Sequence, residues 1–194
     1  EFFGEDCIAE HSLFCDYDRT ELYGELVTQY GKADEAEILV TFEGKLIKRE
    51  RFTLRGGQNK FRFALPRDYT DDYSWSPENP RLLYVDFALY KGGKQTDLVH
   101  SRIGMRKICI DEHGKICLNN RPYYQRLVLD QGYWKESGLT PPSAESLKKD
   151  IELAKAMGFN GARKHQKLED PYYCYYAEEL GFLTWCEMPS AYRF

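Results

Sequence analysis

Asp130 and Glu187 each close a short apolar run, "RLVLD" and "FLTWCE", and Arg163 and His165 close a third, "FNGARKH". Two carboxylates brought to one place can divide acid and base duties when their surroundings push their pKa values apart, so spacing alone makes a paired-carboxylate site conceivable. An arginine among them has a rigid fork that holds a carboxylate through two hydrogen bonds. Its bland counterpart is a structural ion pair at a strand end, and for His165 it is a capping or surface histidine. The stretch "DQGYWKES" after the first run adds Tyr133 and Trp134. Two rings beside a carboxylate offer an apolar platform with a hydrogen-bond acceptor at its edge. The alternative is that both rings pack their loop onto the elements beneath. The run Tyr172, Tyr173, Tyr175 and Tyr176 sits at helical spacing and reads as packing.

The elements that must position these groups are legible around them. Asn119-Asn120 forms a two-residue turn, because both residues tolerate positive φ, and a hairpin then leads into "PYYQRLVL", a strand ending near Leu129. Past the loop, Pro141-Pro142 bars earlier helix, Ser143 caps, Glu145 lies in the first turn, and Leu147, Ile151 and Ala154 form an inward stripe that Gly158 ends. "FNGAR" is a short strand. Asp170 caps a second helix with Pro171 at its first position, which stops at Gly181, after which "FLTWCE" is a third strand. Strand, helix, strand, helix, strand implies a parallel sheet with right-handed crossovers. A doubly wound nucleotide-binding domain needs a Gly-rich phosphate turn after a strand, and neither GxGxxG nor GxxxxGK occurs. A barrel instead turns the C-terminal ends of its strands toward a mouth, where Asp130, Arg163, His165 and Glu187 would stand. Three strands do not close that barrel.

From about Thr20 to Met105 the period is two. Ile38, Val40 and Phe42 share one face, as do Phe61, Phe63 and Leu65, and Val85, Phe87 and Leu89. Turns at "EGK", "RGGQN", "SPENP" and "KGGK" separate antiparallel strands, which suits a β-sandwich of the immunoglobulin-like kind. It reads as scaffold, with His100 and Arg102 as solvated surface residues. The expected architecture is therefore multidomain, β plus α/β: an immunoglobulin-like β-sandwich over residues 1–106, followed over 107–194 by a truncated (β/α)8 TIM barrel of about three strands.

Composition narrows the partners. A chain of 194 residues with 42% hydrophobic side chains buries one sizeable core or two small ones. Net charge is −4, with 27 basic residues scattered among 31 acidic ones, so no nucleic-acid footprint forms. No apolar run approaches the roughly 20 residues of a membrane span, and "EFFGEDCIAEHS" is not a secretory signal, which points to a cytoplasmic setting. The six cysteines show no CxxC or clustered His/Cys spacing for a metal and read as reduced, half-buried thiols. Cys109 and Cys117 alone look able to meet, set symmetrically about His113 in a hairpin with Gly114 in its turn.

The segments "WSPENPRLLYVDFAL", "GMRKICI", "LNNRPYYQR", "SLKKDIELAKAMGFNGARKH" and "EDPYYCYYAEELGFLTWCEMPS", in this order, resemble the middle domain and the opening third of the catalytic barrel of glycoside hydrolase family 2, which includes β-galactosidases, β-glucuronidases and β-mannosidases. The resemblance covers nearly the whole chain and is weakest before about Asp16. It implies hydrolysis of β-glycosides or oligosaccharides by a retaining mechanism with two glutamates. In the family these follow the fourth barrel strand and end the seventh. On that basis this chain carries no catalytic residue and is inactive alone; in some members the glutamate corresponding to Glu187 lies near a metal ion, but this sequence assigns no metal and no cofactor. The resemblance gives substrate-binding roles to Arg163, at the family's N-x-x-R position after Asn160, and to Glu187, in "TWCEMPS". His165, Asp130 and Trp134 join them as candidates for the pocket. Where many β-galactosidases and β-glucuronidases read R-x-S-H-Y, this chain reads "RKHQK", with Gln166 at their histidine's place. Other readings are a non-catalytic carbohydrate-binding module with Trp134 as platform, or a protein-interaction module. An open sheet edge and bare inner face also predict self-association of such a piece.

Overall fold

Alternating apolar residues build the first part of the chain, and a helical period takes over in the second. The computed structural model describes residues 6–29, 32–67 and 73–190. The first five residues, on which the reading against a secretory signal partly rests, lie outside that range. Along the chain run β1 (Cys7–Asp16), β2 (Glu21–Gln29), β3 (Glu35–Phe42), β4 (Lys45–Thr53) and β5 (Gln58–Ala64), the two-residue strands β6 (Trp75–Ser76) and β7 (Asn79–Pro80), then β8 (Leu83–Lys91) and β9 (Lys94–Ile103). There follow β10 (Ile108–Ile110), β11 (Ile116–Leu118), β12 (Arg121–Pro122), β13 (Leu127–Asp130), α1 (Ala144–Ala156), β14 (Gly161–Lys164), α2 (Pro171–Leu180) and β15 (Leu183–Cys186). The chain divides into two compact units, Glu1–Ser74 with Leu82–Lys107, and Trp75–Arg81 with Ile108–Phe194. The "SPENP" turn thus belongs to the second unit, in which a single cut at residue 106 would not place it.

In the first unit, antiparallel sheets ordered β1-β2-β5 and β4-β3-β8-β9 share one core. Ile38, Val40, Val85, Phe87 and Leu89 are all fully buried in it, and each such side chain contributes about 1.5–3 kcal/mol of burial. Phe61 packs on Phe87 with ring centroids 5.7 Å apart, a spacing within the favoured range for aromatic pairs. The edge strand β4 carries paired charges, Lys48 with Glu50 at 2.7 Å and Arg51 with Glu35 at 2.8 Å, a composition that discourages further strands from adding there. Strand β1 had no counterpart in the sequence pattern. A register shift between Ile8 and Glu10 breaks its alternation, so no face repeats along it.

In the second unit, the β6–β7 hairpin and the β10-β11-β12 meander accompany a three-stranded parallel sheet ordered β13-β14-β15. Asn119 and Asn120 take φ of 53° and 64° in the turn between β11 and β12. The long strand expected through "PYYQRLVL" is interrupted, because Tyr124 and Arg126 give backbone groups to a side chain. Asn160 accepts from Arg126 N at 2.7 Å and donates to Tyr124 O at 2.9 Å. Its own backbone joins Arg126 and Leu183, so one buried residue clasps the starts of β13, β14 and β15. Helix α1 begins at Ser143, whose hydroxyl accepts from Ser146 N, and α2 at Asp170 with Pro171 in its first turn. Leu147 and Ile151 of α1 meet Tyr173 and Ala177 of α2 over Ala162 and Phe182. Lys155 of α1 closes the end of α2 by donating to the carbonyls of Leu180 and Gly181 and, at 3.3 Å, to that of Pro77. Trp75 is buried in the same unit, where its Nε1 donates to Glu178 O at 2.8 Å. Among the described residues no helix is long and apolar enough to cross a membrane.

Candidate functional site

Successive strand residues point to opposite faces, so the register of the parallel sheet sorts its strand ends into two rows. Leu129, Arg163 and Trp185 are partners in one row, and Asp130, Lys164 and Cys186 in the other. The second row continues from Val128 and Ala162, which pack against the helices. The first row looks away from them, with Leu129 61% and Trp185 46% exposed.

On the open face Arg163 Nε pairs with Glu187 Oε1. Glu187 Oε2 also accepts from the backbone N of Gln166 at 3.4 Å; Gln166 has φ of 55°, a left-handed conformation that aims its N–H into the turn after β14. The Arg163 hydrogen bond holds the Glu187 carboxyl below its usual pKa despite an opposing desolvation, with the charge of His165 adding to the effect. Arg163 is raised in turn by Glu187. His165 sits half-buried next to them. Its backbone N donates to Asp130 O at 2.8 Å, and its Nδ1 lies 2.9 Å from Gln131 Nε2. The arrangement is a fixed carboxylate with a guanidinium behind it and an imidazole beside it. The carboxylate can accept hydrogen bonds from hydroxyls, and because it is held below its usual pKa it carries no proton to give at neutral pH.

Asp130 goes elsewhere. Its Oδ2 pairs with Lys164 Nζ and its Oδ1 accepts from Gly132 N at 2.6 Å. Lys164 is 1% exposed, lies 2.7 Å from Glu169 Oε2 and stands over the Tyr173 ring at 4.2 Å. Lys167 completes the cluster, 3.0 Å from Glu169 Oε1 and donating to Gly132 O and Leu139 O, which ties down the loop after β13. Burial pulls the Glu169 carboxyl up, and its hydrogen bonds to Lys164, Asp170 N and Lys167 overcome that, leaving it lowered. Asp150 of α1 is raised, by burial first and then by Asp130, with the charge of Lys164 opposing. Tyr173 is raised well above the phenol range, again by burial and then Asp130. Asp130 and Glu187 therefore serve different networks on different faces, and the paired-carboxylate arrangement that spacing allowed does not form. Lys164, Lys167 and Glu169 were absent from the sequence-based candidates. The alternation that sends Arg163 outward sends Lys164 inward, and that was the available signal.

Trp134 also faces the helix side. It packs against the second core, lines a cleft of about 390 Å³ with Val128, Leu153, Met157 and Phe159, and its Nε1 is buried with no hydrogen-bond partner among the described residues. Tyr133 beside it is exposed. Among the described residues no group of three or more His, Cys, Asp or Glu could hold a metal ion.

No family model matches the chain. A curated protein of Formosa agariphila named "Putative beta-glucuronidase" is 29% identical over 154 residues, covering 78% of this chain and 18% of that protein. Bacteroides uniformis β-glucuronidase 3 superposes with a TM-score of 0.79 at 20% identity, over 95% of this chain and 23% of that one. A glycosyl hydrolase family 2 member from Bacteroides cellulosilyticus gives 0.75 at 20% identity, over 93% and 26%. The Ruminococcus gnavus β-glucuronidase in complex with C6-substituted uronic isofagomine gives 0.73 at 22%, over 96% and 30%. The chain shares the fold of a portion of these enzymes, and spans under a fifth of the curated relative and about a quarter of the solved structures.

Proposed function

We propose that this chain is a portion of a family 2 glycoside hydrolase that cleaves β-glucuronides, made of an immunoglobulin-like sandwich and the opening strands of a TIM barrel. The observation that carries the reading is the Arg163–Glu187 pair, standing at the C-terminal ends of adjacent parallel strands, where barrel enzymes build their sites. The residues fall at the N-x-x-R and "TWCEMPS" positions that the resemblance singles out. The named relative and the solved neighbours, all β-glucuronidases or family 2 members, favour the glucuronide over other β-glycosides.

In this reading Glu187 positions substrate by accepting from a sugar hydroxyl, while Arg163 keeps it ionised and fixed. A retaining glycosidase needs two carboxyls about 5–5.5 Å apart, one of them protonated to serve as acid. Glu187 is committed to Arg163, and Asp130 and Glu169 to Lys164; the resemblance puts the acid and the nucleophile on glutamates after the fourth and at the end of the seventh barrel strand, outside this chain. Trp134 turns its ring to the core, which disfavours a free-standing sugar-binding module built on it as platform.

The test is turnover of aryl β-glucuronide, β-galactoside and β-mannoside by this chain beside the full-length protein encoded by its gene. The expected outcome is glucuronide turnover by the full-length protein and none by the 194-residue chain. Turnover by the purified chain itself would overturn the assignment of the catalytic pair, and a full-length protein that prefers another sugar would overturn the substrate.

A further inference from the structure

The β10–β11 hairpin carries two cysteines that the reading above does not use. Cys109 and Cys117 are direct cross-strand partners, so both side chains project from the same face of the ribbon. Asp111 N donates to Lys115 O at 2.9 Å at the turn end of the ladder. Bonded and non-bonded pairs alternate along antiparallel strands, which makes Cys109 and Cys117 a hydrogen-bonded pair with Cα atoms about 5.5 Å apart. The other edge of β11 agrees, for there Cys117 faces Pro122, which has no N–H to give. Disulfides span Cα separations of about 4.4–6.8 Å, so the backbone already has the required reach. Both thiols are free, and Cys117 is 2% exposed while Cys109 is half-buried. Burial raises the Cys117 thiol first, and the neighbouring Asp111 and Cys109 raise it further.

We infer that Cys109 and Cys117 form a dithiol that a low-molecular-weight disulfide such as oxidised glutathione converts, reversibly, into a cross-strand disulfide. The more accessible Cys109 attacks as thiolate on one sulfur of the oxidant, forming a mixed disulfide and releasing one glutathione thiolate. Cys117 gives its proton to solvent and displaces the second glutathione thiolate from Cys109. The protein loses two electrons and two protons, and the oxidant is reduced to two thiols. Side chains of a hydrogen-bonded pair stand farther apart than those of the closer kind, so the bond closes under strain and is easily reduced. It acts as a reversible modification of the ribbon leading into β13, unlike a permanent staple. Cys174 of α2 and Cys186 of β15, also free thiols, supply an internal comparison.

The chain is equilibrated with oxidised glutathione, alkylated and digested with trypsin, because cleavage after Lys115 puts Cys109 and Cys117 on separate peptides. The expected result is a linked pair of those peptides, loss of two of the six thiols through that link, and recovery of both on adding reduced glutathione. Independently, Cys109→Ser lowers the phenylarsine oxide bound by the reduced protein by one equivalent, in a variant that melts at the parent's temperature. Stable glutathione adducts on unlinked peptides, a bond confined to Cys174 and Cys186, or unchanged arsenical binding in Cys109→Ser overturns the inference.

Discussion

Glu187 and Lys164 stand one register step apart, and each is set by the charge it meets. Arg163 donates to Glu187, so Arg163→Met returns the Glu187 carboxyl upward to the ordinary glutamate range, as carboxyl NMR titration of the variant and parent will show. Lys164 is the buried partner of two carboxylates, and Lys164→Met takes the cation from both, leaving Glu169 with Lys167 and Asp130 with the Gly132 N–H. Breaking a buried pair in this way costs about 3–5 kcal/mol, to be read from urea unfolding at neutral pH. The pH dependence carries the sign. Glu169 is lowered in the fold, so its stabilisation is present above the unfolded carboxylate pKa and is lost as pH falls through the folded value. In Lys164→Met the strongest of the groups that lower Glu169 is gone while its burial remains, so that carboxyl moves upward and the deficit against the parent shrinks on acidification. At this scale the sequence exposed Arg163 and Glu187 because each ends a strand of recognisable pattern. It misplaced Asp130 because a parallel register, on which facing depends, is a tertiary property that no local pattern records.

Helices were the most legible elements, since their limits are written in single residues with one physical job: Ser143 and Asp170 as caps, and Gly181 at φ 73°, where a Cβ would meet Pro77 O at 2.5 Å. Strands were legible where alternation is unbroken. β1 escaped because of its bulge, and "PYYQRLVL" was overextended because Asn160, thirty-odd residues on, captures the backbone of Tyr124 and Arg126. The first residue of β14 makes the sharpest element-scale prediction. A Cβ on Gly161 would stand 2.6 Å from both Leu127 Cδ2 and Leu183 O, pushing on both neighbouring strands at once. Gly161→Ala is expected to cost about 1–3 kcal/mol, as overpacking does, with the loss seen as a lowered urea midpoint at unchanged m-value.

For the whole molecule, the change of period from two to helical revealed that two kinds of structure follow each other. What it did not reveal is that the chain enters the second kind early, for seven residues, and then goes back. Nothing in "WSPENPR" departs from a turn between strands, and the cause lies far along the chain in the Glu178 carbonyl, the Lys155 amine and the Asn119 amide that receive it. The same feature bears on inheritance. A recombination event that carried off residues 107–194 as a module would leave behind Trp75, whose indole α2 is built to receive and whose backbone carbonyl Asn119 holds. Such a module would have to evolve a substitute for that side chain before it could fold well in a new setting, so the two units are bound to descend together.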